Sequence, residues 1–209
     1  MRRSKVCEKP PRNGSEHQPN GLVPLSARQW VWLGTASALL LFSNGAYSVP
    51  LAAWLAPLFL LRFVRTQSLK VGLPIAYVLL ATSFAFQFRG MVPIPGVGYY
   101  IFVVLWGIPR VLPYVVDRLL ARRLTGFTAS LVFPSSWAAT EYLVSNGPDG
   151  SWGSTAYSQY GNLALLQLLS LTGLWAITFL IGWFAAVCNW LWEEGLDSND
   201  ARRGAWLCL

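Results

Sequence analysis

The sequence predicts an all-α fold, a polytopic membrane helix bundle with about six spanning helices and the start of a seventh. Apolar residues make up 54% of the 209 residues and charged residues only 12%, whereas soluble domains carry about 25% charged residues. Several apolar runs approach or exceed the roughly 20 residues that a helix needs to cross a bilayer. Basic residues are also distributed unevenly between the predicted loops, which is typical of membrane proteins.

Composition divides the chain into three regions. Residues 1–28 are polar, basic and rich in Pro and Gly, so we expect a disordered cytoplasmic tail. No apolar core follows its basic start, which argues against a signal peptide. Residues 29–192 form the predicted membrane bundle. Residues 193–209 form a predicted cytoplasmic loop and the start of a truncated helix, so we expect that the natural chain continues past Leu209 or is a shortened relative of a longer protein.

Each predicted helix is an apolar run bounded by turn residues or by arginines. The first two runs are separated by Ser43, Asn44, Gly45 and Pro50, which mark a tight turn. A loop rich in Pro and Gly follows the third run, and prolines inside the fourth predict kinks. The predicted helices are residues 30–47, 49–64, 71–88, 99–116, 128–145 and the second part of 163–192.

The last apolar run, residues 163–192, is too long for one straight spanning helix. At about 1.5 Å per residue it would extend roughly 45 Å, against a hydrocarbon core of about 30 Å. We therefore expect a break near Gly173. Residues 163–171 are predicted to lie along the membrane surface or within the bundle, and the span is predicted to begin after the break.

The charge distribution predicts the orientation. Fourteen of the 16 Lys and Arg residues lie in the tail or in loops on the same predicted side, Arg89 lies on the other side, and Arg110 lies inside the fourth helix. The N-terminus is therefore predicted to be cytoplasmic, and residues 145–162, which contain no Lys or Arg, to face outward. Because the basic residues are scattered among loops, we expect no nucleic-acid partner.

The chain offers little for catalysis or metal binding. Nucleophilic catalysis needs a nucleophile, a base and an oxyanion stabiliser. The one histidine, His17, lies in the tail, and all Lys residues lie on the predicted cytoplasmic side. Cys7, Cys188 and Cys208 show no metal-ligand spacing. We therefore predict no catalytic residue, no metal site and no cofactor within this chain.

The best candidate for a site is residues 133–162, a polar segment between two apolar runs. Glu141 would lie in a membrane span, where ionisable residues are often functional, although a hydrated position among the headgroups is the alternative. Counting turns places Arg110 about 10 Å deeper, so a direct ion pair would require strong tilting. Aromatic residues here could instead be interfacial anchors. The candidate substrate-binding residues are Glu141, Trp152, Tyr157, Ser158 and Gln159.

Several short motifs follow one another in this segment. They are Phe133-Pro134, Trp137, Glu141-Tyr142-Leu143, Gly150-Ser151-Trp152 and Tyr157-Ser158-Gln159, followed by the Leu-rich run at residues 165–180. In order and spacing they resemble the membrane region of bacterial apolipoprotein N-acyltransferases, and the resemblance covers most of residues 30–192. Val144 departs from the family pattern, which usually has Arg there, and Ser151 and Ala156 replace a Pro and a Gly.

The resemblance implies a function. Enzymes of this family transfer an acyl chain from a phospholipid to the N-terminal Cys of a lipoprotein in the bacterial inner membrane. Their chemistry resides in an outward-facing nitrilase-like domain with a Glu, Lys and Cys triad, which these residues do not contain. The implied partners are a phospholipid donor, a lipoprotein acceptor, membrane lipids and that domain. The alternatives are a non-catalytic scaffold or lipid-binding module with the same fold, or an anchor for a polyprenol-phosphate mannosyltransferase.

Overall fold

The computed structural model describes residues 25–124 and 126–194, and within them it contains helices and no strand. The predicted tail through residue 24, with Cys7 and His17, lies outside the described residues, as do residues 195–209 with Cys208 and the predicted start of a further helix. The α-helices are α1 Ala27–Leu41, α2 Pro50–Thr66, α3 Leu69–Gln87, α4 Val97–Leu120, α5 Val132–Ser145, α6 Leu163–Thr172 and α7 Leu174–Glu194. The 3-10 segments are Gly45–Tyr47, Ala121–Arg123, Gly126–Leu131 and Thr155–Gln159.

The bounds of α1 correct the predicted first helix at residues 30–47. The helix begins at Ala27 because Ser26 forms a capping box, in which its hydroxyl accepts from the backbone N–H of Gln29 and the Gln29 side chain accepts in return. It ends at Leu41 because a turn follows directly, in which Gly45 adopts a φ of 73°. The last residues assigned to the tail are thus helical.

Helix length confirms the all-α membrane fold, while the number of long spans is smaller than predicted. Among the described residues three helices, α3, α4 and α7, are long and apolar enough to cross a membrane. Helices α1, α2 and α5 contain 15, 17 and 14 residues, or about 21 to 26 Å. The 3-10 segment Gly126–Leu131 runs directly into α5 and adds about 12 Å, so the predicted fifth helix is present with a tighter first part.

The predicted break near Gly173 is confirmed. Gly173 adopts a φ of 67° between α6 and α7, a conformation that L-residues with side chains rarely adopt. Helix α6 contains no buried residue and packs along α7. Leu163 and Leu171, near its two ends, are 77% and 84% exposed.

Helix α2 lies at the centre of the bundle, in contact with α1, α3 and α7, while α4 pairs with α3 and α5. Its buried Ala56, Leu60 and Leu61 belong to the main core cluster, together with Tyr114 of α4 and Phe133 of α5. At one end of the bundle the polar ends of α2, α4 and α7 meet. The ion pairs there are Arg65–Asp117 at 2.7 Å, Arg65–Glu193 at 3.5 Å and Arg62–Glu193 at 3.0 Å.

Asn189 joins α7 to α2. Its side chain is fully buried, and its Nδ2 donates to the carbonyl oxygens of Leu58 at 3.0 Å and Ala185 at 2.9 Å. Since interhelical hydrogen bonds in membranes are worth about 0.6 to 1.7 kcal/mol, Asn189→Ala is expected to lower the free energy of unfolding by about 1 kcal/mol in mixed micelles. Ser170→Ala is the control, because that hydroxyl donates only within exposed α6 to Gln167. Equal losses of stability in the Asn189→Ala and Ser170→Ala variants would contradict an interhelical role for Asn189.

Candidate functional site

The segment between α5 and α6, residues 146–162, folds over the end of the bundle opposite the ion pairs, and we call it the cap. Asn44 holds it to the end of α1: the Asn44 Nδ2 donates to the carbonyl oxygens of Gly153 at 3.2 Å and Ser154 at 3.1 Å. Because Asn44 is 5% exposed, these hydrogen bonds are shielded from solvent. The polar turn after α1 therefore positions the cap.

Glu141 is the second point at which the cap is held. Its Oε2 accepts from the hydroxyls of Ser154 and Thr178, both at 2.7 Å, and its Oε1 accepts from the backbone N–H of Thr155 at 3.0 Å. These donors come from the cap and from α7, so one carboxylate of α5 joins three parts of the chain. Hydrogen bonds to a charged acceptor are stronger than neutral ones. Glu141 therefore has protein partners, in contrast to the alternative of a hydrated headgroup position.

Trp152 joins the cap to α3 and α4 through aromatic contacts. Its ring lies 4.7 Å from that of Phe88 and between 6.1 and 6.4 Å from the rings of Phe84, Phe102 and Trp106, measured between centroids. Aromatic pairs at these separations add about 0.5 to 1.5 kcal/mol beyond burial. Trp152 therefore packs into an aromatic cluster that joins the cap to the bundle.

Ser158 and Gln159 are buried, and Gln159 connects the cap to α2. The Gln159 Oε1 accepts from the Trp54 indole N–H at 3.1 Å, and its Nε2 donates to the Pro50 carbonyl at 3.1 Å and to the Ser158 hydroxyl at 2.9 Å. Tyr157 is 44% exposed, and its hydroxyl forms a hydrogen bond with Ser151 at 2.7 Å. Gln159 therefore holds the cap to α2, while Tyr157 and Ser158 form hydrogen bonds within the cap.

Beneath the cap lies a cavity of about 80 Å³, which opens into a wider cleft. Helices α1 to α5 and the cap form its wall. Its apolar lining includes Leu40, Ala53, Ala56, Leu80, Trp106 and Trp137, and its polar lining includes Asn44, Gln87, Arg110 and Glu141. Mostly apolar clefts with a few polar groups are typical ligand sites. We call this space the central cavity.

Of the predicted site residues, Glu141 and Trp152 line the central cavity, and Tyr157, Ser158 and Gln159 do not line it. Gln87 also lines the cavity and was not among the predicted site residues; its Nε2 donates to the Leu40 carbonyl and, at 3.0 Å, to the Ser43 hydroxyl. A glutamine near the end of an apolar run was the signal that could have indicated it.

Arg110 also lines the central cavity, although its backbone position suggested a deeper location. The cause is the direction of helical side chains, which lean toward the N-terminus of their helix. The N-terminal half of α4 packs against the cap through Trp106, so Arg110 leans toward the cap. Helix α5 runs the other way and ends at the cap, so Glu141 leans inward. The two side chains therefore face the same cavity.

Among the described residues, no group of three or more His, Cys, Asp and Glu side chains is placed to hold a metal ion. The arrangement is a chamber with a mostly apolar wall, one partly buried carboxylate with three donors and one arginine. Such a chamber can hold a ligand with an apolar body and a polar group.

The long apolar helices and the capped, mostly apolar cavity define a helical membrane protein. Residues 29–187 match the family model described as the apolipoprotein N-acyltransferase N-terminal domain, and the chain belongs to that family. It is similar to the Apolipoprotein N-acyltransferase of Geobacter metallireducens, with 36% identity over 77 residues, which cover 35% of this chain and 14% of the relative. No solved structure matches the chain. The resemblance seen in the sequence motifs is thus confirmed.

Proposed function

We propose that this chain is the membrane-embedded part of an apolipoprotein N-acyltransferase in the bacterial inner membrane, with its N-terminus in the cytoplasm. It would hold an acyl chain of the phospholipid donor or of the lipoprotein acceptor beside a nitrilase-like domain that performs the transfer to the N-terminal Cys. The family match at residues 29–187 supports this proposal. The proposal concerns a larger protein, since the 77 residues aligned with the curated relative cover 14% of its length.

The observation that carries the proposal is the capped central cavity. Its wall is mostly apolar, which suits an acyl chain, and a few polar groups are placed within it. The cap is held by Asn44, Glu141 and Gln159 through hydrogen bonds and by Trp152 through ring contacts. Because four residues hold the cap to the bundle, the cavity is better described as a preorganised site than as a packing defect between helices.

A chimera would test the reaction. Residues 29–187 of this chain replace the matching region of the Geobacter relative, and N-acylation of a lipoprotein is measured by mass spectrometry of its N-terminal peptide. An acylated N-terminus is the expected result. A folded, membrane-inserted chimera without acylation would contradict the proposal.

Trp152→Ala is expected to lower acylation by the chimera about tenfold, because the change removes the contact between the cap and the aromatic residues of α3 and α4. A loss of about 1.4 kcal/mol of differential binding corresponds to that factor. Trp30→Ala is the matched control, since Trp30 of α1 is 59% exposed and does not line the central cavity, and it is expected to retain activity. Equal activities of the two variants would contradict a role of Trp152 in the site.

The alternative function is a lipid-binding module without catalysis, and one observation favours it. All residues that line the central cavity, including those of the cap, lie within the described part of the chain, so the cavity forms without a further domain. The intact mass of the protein purified from its source membrane separates the two. A mass well above 23.2 kDa is expected for the acyltransferase, whereas a mass of that value with lipid binding retained would favour the module.

A further inference from the structure

Arg110 places a partly buried positive charge in the central cavity, and one of its donors has no acceptor. Its Nη1 is buried and forms no hydrogen bond, and its guanidinium lies 5.0 Å from the centre of the Phe84 ring. Arginine is effectively always protonated in proteins. Leaving such a donor buried without an acceptor is costly. A buried unsatisfied donor in a cavity is therefore a sign of a missing partner.

Glu141 does not supply that partner. It faces the same cavity, but its oxygens already accept from Ser154, Thr178 and the backbone of Thr155. Within the described ranges, the ion pairs closer than 4.0 Å involve Arg62 and Arg65, and none joins Arg110 to Glu141. The carboxylate is used to hold the cap, so the guanidinium remains available to a ligand.

The wall around Arg110 restricts the kind of ligand. Trp106 and Pro109 beside it on α4 and Ala56 and Leu80 opposite are apolar. The complementary molecule therefore has an apolar chain and an anionic oxygen group. An adjacent guanidinium favours the charged form of an anionic group. A phosphodiester is ionised near neutral pH in any surroundings, and arginine binds phosphate oxygens in a bidentate manner.

We propose that Arg110 is the residue that binds the phosphodiester of a phospholipid while an acyl chain of that lipid occupies the central cavity. This inference rests on the proposed function, because it assumes that the cavity holds acyl chains. It makes Arg110 a specificity residue, which selects a phospholipid over a neutral diacyl lipid. The donor would enter with its headgroup under the cap, at the level where Arg110 and Glu141 lean toward each other.

The test measures binding of phosphatidylglycerol and of diacylglycerol to the purified full chain in detergent, by native mass spectrometry. The wild type is expected to bind phosphatidylglycerol at least about tenfold more tightly than diacylglycerol, since a charge-assisted hydrogen bond is the difference. Arg110→Gln is expected to remove this preference and leave diacylglycerol binding unchanged. Arg110→Lys keeps the charge without the fork geometry and is expected to retain part of the preference.

Two further variants provide a control and a rescue. Arg89→Gln removes an exposed arginine outside the cavity and is expected to keep the full preference, which separates a specific contact from general attraction of anionic lipid. Val144 lines the same cavity from α5, so Val144→Arg in the Arg110→Gln background is expected to restore part of the preference. Inorganic phosphate and oleate are tested as competitors and are expected to compete weakly.

Several results would overturn the inference. If Arg110→Gln keeps the wild-type preference, or if it lowers the melting temperature without lipid and leaves selectivity unchanged, Arg110 has a structural role. If oleate competes as well as phosphatidylglycerol, the site recognises a carboxylate, and if inorganic phosphate does, it recognises the anion without the chain. If the wild type binds the two lipids equally, the inference fails and the acyl-chain proposal stands. If it binds neither lipid, both fail.

Discussion

Gly45→Ala is expected to lower the free energy of unfolding by about 3 kcal/mol, the largest effect of a methyl group that the structure predicts. Gly45 has a φ of 73°, which costs a residue with a side chain about 1 to 2 kcal/mol. A Cβ at this position would lie 2.5 Å from the backbone oxygen of Gln87 and 2.9 Å from its carbonyl carbon. Backbone atoms of a helix end cannot move aside cheaply, so overpacking adds a further 1 to 3 kcal/mol.

Gly90→Ala is the matched control for this change. Gly90 has a φ of 81°, but a Cβ there would have no neighbour within 4 Å. Its replacement is therefore expected to cost only the conformational part, about 1 to 2 kcal/mol. Both variants are compared with the wild type by reversible unfolding in mixed micelles. Equal losses would show that the close approach of Gly45 to α3 is not a constraint.

The position of Gly45 also bears on the site. Asn44, the preceding residue, holds the cap, and Gln87, the residue it approaches, lines the central cavity. Displacing this turn would therefore move two polar groups of the cavity wall. In the chimera, we expect Gly45→Ala to lower acyl transfer together with stability, whereas Gly90→Ala should leave transfer near the wild-type level.

Glu141→Ala is expected to lower the free energy of unfolding by about 3 kcal/mol. The change removes one acceptor and leaves two hydroxyls and one backbone N–H without it, on Ser154, Thr178 and Thr155. Ser154 is 4% exposed and Thr178 fully buried, so water cannot readily replace the carboxylate. Each hydrogen bond to a charged group is worth about 1.5 to 3 kcal/mol, and partial rearrangement of the hydroxyls reduces the sum.

Glu141→Gln separates hydrogen bonding from charge. The amide keeps one acceptor oxygen for the backbone of Thr155, and the hydroxyls can rotate to accept from its NH₂ group. We therefore expect a loss of about 1 kcal/mol, well below that of the alanine variant. Thermal unfolding in detergent compares the two. If glutamine is as harmful as alanine, the negative charge itself holds the cap, and the hydrogen-bond account is wrong.

The amino-acid sequence predicts the parts of the fold that depend on local pattern. Apolar runs identify the helices, because each run must find an apolar environment along its whole length. Gly173 identifies the break between α6 and α7, because only glycine readily adopts its φ. The ordered motifs at residues 133–159 indicate the family, and the family model at residues 29–187 confirms it.

The helix ends were predicted less well, since they depend on hydrogen bonds more than on hydropathy. Helix α1 begins at Ala27 because of the cap formed by Ser26 and Gln29, in a stretch whose composition resembles the tail. The length of α5 depends on a 3-10 segment before it, which apolar periodicity does not distinguish from an α-helix. Both features follow from a few specific contacts.

The candidate site likewise depends partly on local sequence and partly on tertiary contacts. The sequence by itself determined that Glu141 and Trp152 belong to a polar segment between apolar helices and that Arg110 is an intramembrane charge. Only the tertiary structure decided which of these side chains share a cavity. The reason is the direction of helical side chains. Helices α4 and α5 are antiparallel, and the side chains of each lean toward the N-terminus of their own helix. Arg110 and Glu141 therefore lie closer together than their backbone positions predict. Tertiary structure also assigned Gln159 to the support of the cap, because its hydrogen bonds run to α2.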